Sequence, residues 1–70
     1  MTKYQIDGDS NEFRSLRAAK NHVWCAYTQE ERLKYLRNTD IVKIVNDAVV
    51  TRTPIHVTTD GYSFGKTIRL

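Results

Sequence analysis

Seventy residues carrying eleven Lys and Arg against eight Asp and Glu make one small, mildly basic domain (1–70) of net charge +3. A chain of this length buries only about 60–65% of its unfolded surface, so its core is marginal. Its single cysteine, Cys25, excludes an internal disulfide, and 40% hydrophobic residues exclude a compositionally disordered chain.

The longest apolar run, VWCAY, falls far short of the roughly 18 residues of a membrane span. After Met1 the chain reads TKYQIDGDSN, without the apolar stretch of a signal peptide. One unpaired thiol fits a reducing compartment. A soluble, cytoplasmic protein without a membrane partner is expected.

The first element is a strand near Tyr4–Asp7, where Tyr4 and Ile6 alternate with Lys3 and Gln5. Gly8, Asp9 and Ser10 break it. Asp9 followed by Glu12 resembles a capping box and predicts a helix from about Ser10. On a helical wheel Phe13, Leu16, Ala19, Val23, Trp24, Ala26 and Tyr27 share one apolar arc. Arg14, Ser15, Ala18, Asn21, His22 and Cys25 take the other side. Arg17 and Lys20 fall beside Trp24 at the margin, where their stems can cover apolar surface while the charges stay wet.

Thr28 with Glu31 is a second S/T-x-x-E capping box. It predicts a break near Thr28 and a short second helix from Gln29 to about Arg37 that buries Leu33 and Leu36. One continuous, bent helix is the alternative. The last thirty residues are rich in β-branched and aromatic types and predict strands near 41–45, 48–58 and 62–69. Asn46-Asp47 and Asp60-Gly61 supply hairpin signals. Pro54 lacks an N–H and belongs at an edge, a bulge or a strand change. The fold class expected is α+β in two layers: one N-terminal strand, a helical segment, then a three-stranded antiparallel meander with the helix on one sheet face. Leu16, Val23, Leu33, Leu36, Ile44 and Ile55 are the expected buried residues.

Chemistry is scarce. Cys25 has only His22 nearby as a base, and both fall off the apolar arc with nothing to exclude water. No GxSxG, P-loop or paired-carboxylate pattern is present. His22, Cys25 and His56 are too scattered for a zinc site. No enzyme activity, metal, cofactor or small-molecule substrate is expected.

Two stretches carry charge in a pattern. Arg14, Arg17 and Lys20 stand at spacing three, followed by Trp24, with no acid between Glu12 and Glu30. In the last strand Tyr62, Phe64 and Lys66 fall on one face, as core aromatics with a marginal lysine or as an open row able to stack bases. Gly61-Tyr-Ser-Phe-Gly65 resembles the second signature of RNA-recognition motifs over five residues. It lacks the preceding cation, and the chain lacks the second βα half, so membership does not follow.

The expected function is a small binding module. Nucleic acid is one candidate partner, held by Arg14, Arg17, Lys20, Trp24 and Lys66 with sheet cations such as Lys43, Arg52 and Arg69. A protein partner or a homodimer on the uncovered sheet face or an edge strand is the other. Merging of the helix and sheet cations into one surface favours the first; scattering favours the second.

Overall fold

The computed structural model describes residues 1–70 and has an α+β architecture. In chain order it comprises β1 (Thr2–Ile6), β2 (Glu12–Phe13), α1 (Leu16–Ala26), α2 (Gln29–Glu31) and a π-helical segment (Arg32–Leu36). Then follow β3 (Thr39–Val45), β4 (Ala48–Thr58), β5 (Gly61–Phe64) and β6 (Ile68–Arg69). The sheet order is β2-β1-β3-β4-β5, with β6 also paired to β4, and every pairing is antiparallel. No helix is long and apolar enough to cross a membrane.

The helix begins later than the sequence predicts. Glu12 and Phe13 pair with Gln5 and Tyr4 as β2, and α1 starts only at Leu16. Its cap is Ser15, whose hydroxyl accepts from the N–H of Ala18 at 3.1 Å. The Asp9–Glu12 capping box is therefore not formed. One Asp9 carboxylate oxygen instead accepts from the Asn11 backbone and side chain, each at 2.9 Å. The Thr28–Glu31 capping box does form, with both reciprocal bonds present. The extended backbone of Tyr27 and Thr28 separates α1 from α2, so the helical segment is broken, not continuous.

Asn46 and Asp47 make the β3–β4 turn with φ of 50° and 67°, the mirror-image geometry that suits strand twist. The β4–β5 turn lies one residue earlier than expected: Thr58 faces Gly61 across Thr59 and Asp60. β4 is the central long strand. It pairs with β3 over 48–55, with β5 over 55–58 and with β6 at 51–52. Phe64 faces Ile55 and Ile68 faces Arg52, so Gly65, Lys66 and Thr67 stand opposite only Thr53 and Pro54. This bulge accommodates the missing N–H of Pro54, whose carbonyl accepts from Gly65 N–H at 2.8 Å. It also interrupts the strand expected over 62–69.

Ile6, Ala19, Val23, Leu36, Ile41 and Ile55 form the core between the helices and one sheet face. Leu16, Phe13, Tyr27, Tyr62 and Phe64 pack against it half-buried. Leu16, Leu33 and Ile44, expected inside, are only half-buried. Ile44 alternates with Lys43 and so lies on the opposite, open face. Trp24 and Ala26, expected on the apolar arc, are exposed. Alternation assigns Tyr4, Ile6, Ile41, Lys43, Thr51, Thr53, Ile55, Tyr62 and Phe64 to the helix side. Lys3, Gln5, Glu12, Asp40, Val42, Ile44, Val49, Arg52 and Ile68 lie on the open face.

The helices do not cover the whole sheet. Eleven residues of α1 span about 16 Å, whereas the molecule is 36 Å long. Burial falls accordingly along the helix-side face. Ile6, Ile41 and Thr53 are buried, their neighbours Tyr4, Lys43 and Thr51 half-buried, and Thr2 and Ala48 at the far end exposed.

Candidate functional site

Charge sorts by face. Of the eleven Lys and Arg, only Lys3 and Arg52 meet a carboxylate, and both lie on the open face. Lys3 pairs with Glu12, and Arg52 lies 3.2 Å from Asp40 and 3.5 Å from Asp7. The Lys3 ammonium is held above its ordinary pKa by the hydrogen bond and charge of Glu12. Glu12 and Asp40 are the only acids within strands, and α1 contains none. The helix side of the sheet is therefore free of acids. It carries Lys43 and Arg69, the latter opposite Thr51.

Phe13, Tyr4, Lys43, Thr51 and Arg69 form one cross-strand row on the helix side; its first four members are half-buried, Tyr4 and Phe13 against the core, and Arg69 is exposed. The chain leaves this row at Phe13 and enters α1 through Arg14 and Ser15. Arg14, expected inside the helix on the side away from Trp24, is exposed and precedes α1. Arg17 is exposed in the first turn of α1. Positive charge there opposes the helix dipole, which favours acids at this end. Neither an acid in the first turn nor a base in the last offsets it.

Lys20 and Trp24 follow Arg17 along the same edge of α1 and face β5. The Lys20 ammonium stands over the Phe64 ring, 5.0 Å from its centroid. Trp24 is 64% exposed, with its ring centroid 6.3 Å from that of Tyr62. Tyr62 meets Phe64 edge-on at 5.6 Å. The Arg32 guanidinium completes the cluster, 4.5 Å from the Tyr62 centroid and 5.4 Å from that of Trp24. Tyr62 and Phe64 thus support the helix side instead of forming an open row. Lys66 does not continue them: the bulge at Gly65–Thr67 interrupts their alternation, and Lys66 is exposed beyond the end of β5. The cation over Phe64 comes from α1.

Arg32 carried no signal in the sequence. It is buried, donating from Nε to the Val23 carbonyl at 2.9 Å and from Nη2 to the Trp24 carbonyl at 3.0 Å. Nη1 donates to Gln29 Oε1 at 3.2 Å. Its charge faces the negative end of the α1 dipole and two aromatic rings, and no carboxylate pairs with it.

The other side of α1 is chemically separate. The Tyr27 hydroxyl donates to Asp9 at 2.8 Å, and the His22 imidazole lies 3.7 Å from the same carboxylate oxygen. Burial pushes the Asp9 carboxyl up, but the bonds from Asn11 and Tyr27 and the nearby His22 outweigh it and hold the pKa below its usual range. Burial, followed by the bond to Asp9, pushes the Tyr27 phenol up to about 12. His22, placed by the wheel on the open side of the helix, is half-buried against Phe13, ring centroids 4.9 Å apart. A cleft of about 380 Å³ beside this cluster is lined by Asp7, Asp9, Ser10, Tyr27 and Tyr35. Its two acids disfavour an anionic ligand. Cys25 is exposed. No family model, curated protein or solved structure matches this chain.

Proposed function

We propose that this protein is a small binding module for nucleic acid, acting from the cytoplasm without catalysis. The observation that carries the reading is the separation of charge. Lys43 and Arg69 on the helix side, and Arg14, Arg17 and Lys20 around the start of α1, have no carboxylate partner. Carboxylates meet Lys and Arg only on the open face. Phosphate binding needs cations free of internal partners, spaced along a surface and interleaved with aromatic rings. Trp24 on the helix supplies an exposed ring; Tyr4 and Phe13 in the sheet row are half-buried against the core.

The test is binding of labelled oligonucleotides by fluorescence anisotropy as a function of salt. At about 20 mM salt, where the Debye length is near 20 Å, binding is expected. Its log–log slope against salt should approach roughly −3.5 for a single strand if all five cations contact phosphates. Absence of binding at low salt removes the reading.

Exposed Val49 and Ile68 on the open face favour a second reading, a protein contact or homodimer there. Sedimentation velocity across a range of concentrations separates the two: self-association that Ile68→Lys abolishes supports the dimer.

A further inference from the structure

Resting on the nucleic-acid reading, we infer that the preferred ligand is single-stranded, with one base stacked on Trp24. Trp24 is 64% exposed, so its indole presents a broad apolar face with a polar N–H to any partner on this side of the helix. Trp24 is also held in place. Arg32 lies against it at 5.4 Å, and that guanidinium is fixed by hydrogen bonds to the carbonyls of Val23 and Trp24 and to Gln29. Tyr62 supports it from β5. A ring packed in this way loses little freedom when a ligand adds to its outer surface.

The cations beside it line one edge of the helix. Arg17, Lys20 and Trp24 follow one another at intervals of three and four residues along one edge of α1. From Arg17 to Trp24 the helix rises about 10 Å, so an extended strand lying alongside passes both cations and the indole. A strand running along this edge places phosphates against Arg17 and Lys20 and delivers a base to Trp24. Within a duplex the faces of each base are covered by its neighbours, so the indole finds no free base except at an end or a loop. Neither α1 nor the β5 strand that flanks this edge contains an acid to repel the backbone. The chemistry is sequence-tolerant, because every base has a π-face.

Trp24 is the sole tryptophan, so its intrinsic fluorescence reports on this site alone. The probes are an oligothymidylate of about twelve nucleotides, within the usual site size, a duplex of the same length, and heparin as a polyanion without bases. Oligothymidylate is expected to quench Trp24 and to bind more tightly than the duplex; heparin is expected to bind without that quenching. Trp24→Ala should weaken oligothymidylate binding roughly 5- to 150-fold, leave heparin binding unchanged and preserve the far-ultraviolet circular dichroism. Trp24→Phe, which keeps a ring, should recover most of the lost affinity and guards against a folding defect in the alanine variant. Equal affinity for single strand and duplex, or binding without quenching of Trp24, overturns the stacking site while leaving the nucleic-acid reading intact. No binding of oligothymidylate, duplex or heparin overturns both.

Discussion

The guanidinium of Arg32 donates to the carbonyl of Val23, nine residues earlier, and so closes the C-terminal end of α1 from the next helical segment. The last carbonyls of a helix lack intrahelical partners, and α1 has no basic residue in its own last turn. Arg32 serves two of those carbonyls at once, those of Val23 and Trp24.

Replacing Arg32 with Lys keeps the charge but removes the planar fork that reaches both carbonyls and Gln29. Each lost hydrogen bond from a charged donor is worth about 1.5–3 kcal/mol, partly recovered by one ammonium contact. A fall in melting temperature of roughly 5–15 °C is expected for a domain of this size. Calorimetry checks it. A change within about 2 °C would mean that the closure contributes little.

Val23 is fully buried in the core cluster, whereas Leu16 is half-buried at its edge. Val23→Ala should therefore destabilise the fold by about 1–3 kcal/mol through lost burial and a residual cavity. Leu16→Ala removes more atoms but should cost less than usual for a buried leucine, because water reaches the site. Urea denaturation of the two variants compares them directly; a larger loss at Leu16 would contradict this assignment. Exposed Cys25 should tolerate Ser within about 1 kcal/mol in the same experiment.

Much of this architecture was legible because the signals are local. Thr28 and Glu31 need only each other to form their capping box, and Asn46-Asp47 needs only its own tolerance of positive φ. Other features depend on distant residues. The Asp9–Glu12 spacing imitates a helix start, but Asp9 is occupied by Asn11 and Tyr27, and Glu12 pairs in a two-residue strand too short for any periodicity. Lys66 reads as the next residue of an alternating strand until a bulge forms opposite Pro54. Within the candidate site, Arg14, Arg17, Lys20 and Trp24 were visible as a run of residue types. Lys43, Arg52 and Arg69 were visible as sheet cations, but the register was needed to place Lys43 and Arg69 on the helix side and Arg52 on the other, and the place of Arg32 required the packing of two helices end to end.

Asp9 and Tyr27 give stability a pH signature at both extremes. Asp9 titrates below its unfolded value, which is near 4. Its contribution is therefore complete above that value and lost as pH falls through the lower folded one. Tyr27 is raised from 10 to about 12. Its contribution is complete below pH 10 and lost as pH rises toward 12. Tyr27→Phe removes the bond common to both. The stability difference between wild type and this variant should be flat from about pH 5 to 9 and shrink on either side. Phenolate absorbance should also lose a late component near 12 in the variant. A difference that widens above pH 10 would contradict the sign.

The β3–β4 turn is not at its optimum. Asp47 holds φ at 67°, which costs a residue with a Cβ about 1–2 kcal/mol, and Asn-Gly is the favoured pair for this geometry. Asp47→Gly should raise stability by a few tenths of a kcal/mol after the entropy lost by glycine. Asp47→Val, β-branched in the same conformation, should lower it by more. Thermal melts of the pair reveal the sign, and a stabilising valine would show that the turn relaxes to another type.

The most discriminating substitution is Arg17→Glu. Arg17 stands in the first turn of α1, where the dipole favours an acid by about 0.3–1 kcal/mol over a neutral residue and disfavours a base. As part of a merely solvated surface, glutamate would be the better residue at this position. The variant is therefore expected to melt a few degrees higher than wild type. Nucleic-acid binding should move the other way: one phosphate contact is lost, a negative charge is placed beside Lys20, and the salt slope falls by about 1. Stability gained together with affinity lost is the behaviour of a position held by function against the local preference of the helix. Oligonucleotide binding that survives Arg17→Glu unchanged would return Arg17 to the solvated surface. A lower melting temperature would point to an unrecognised partner for its guanidinium within the fold.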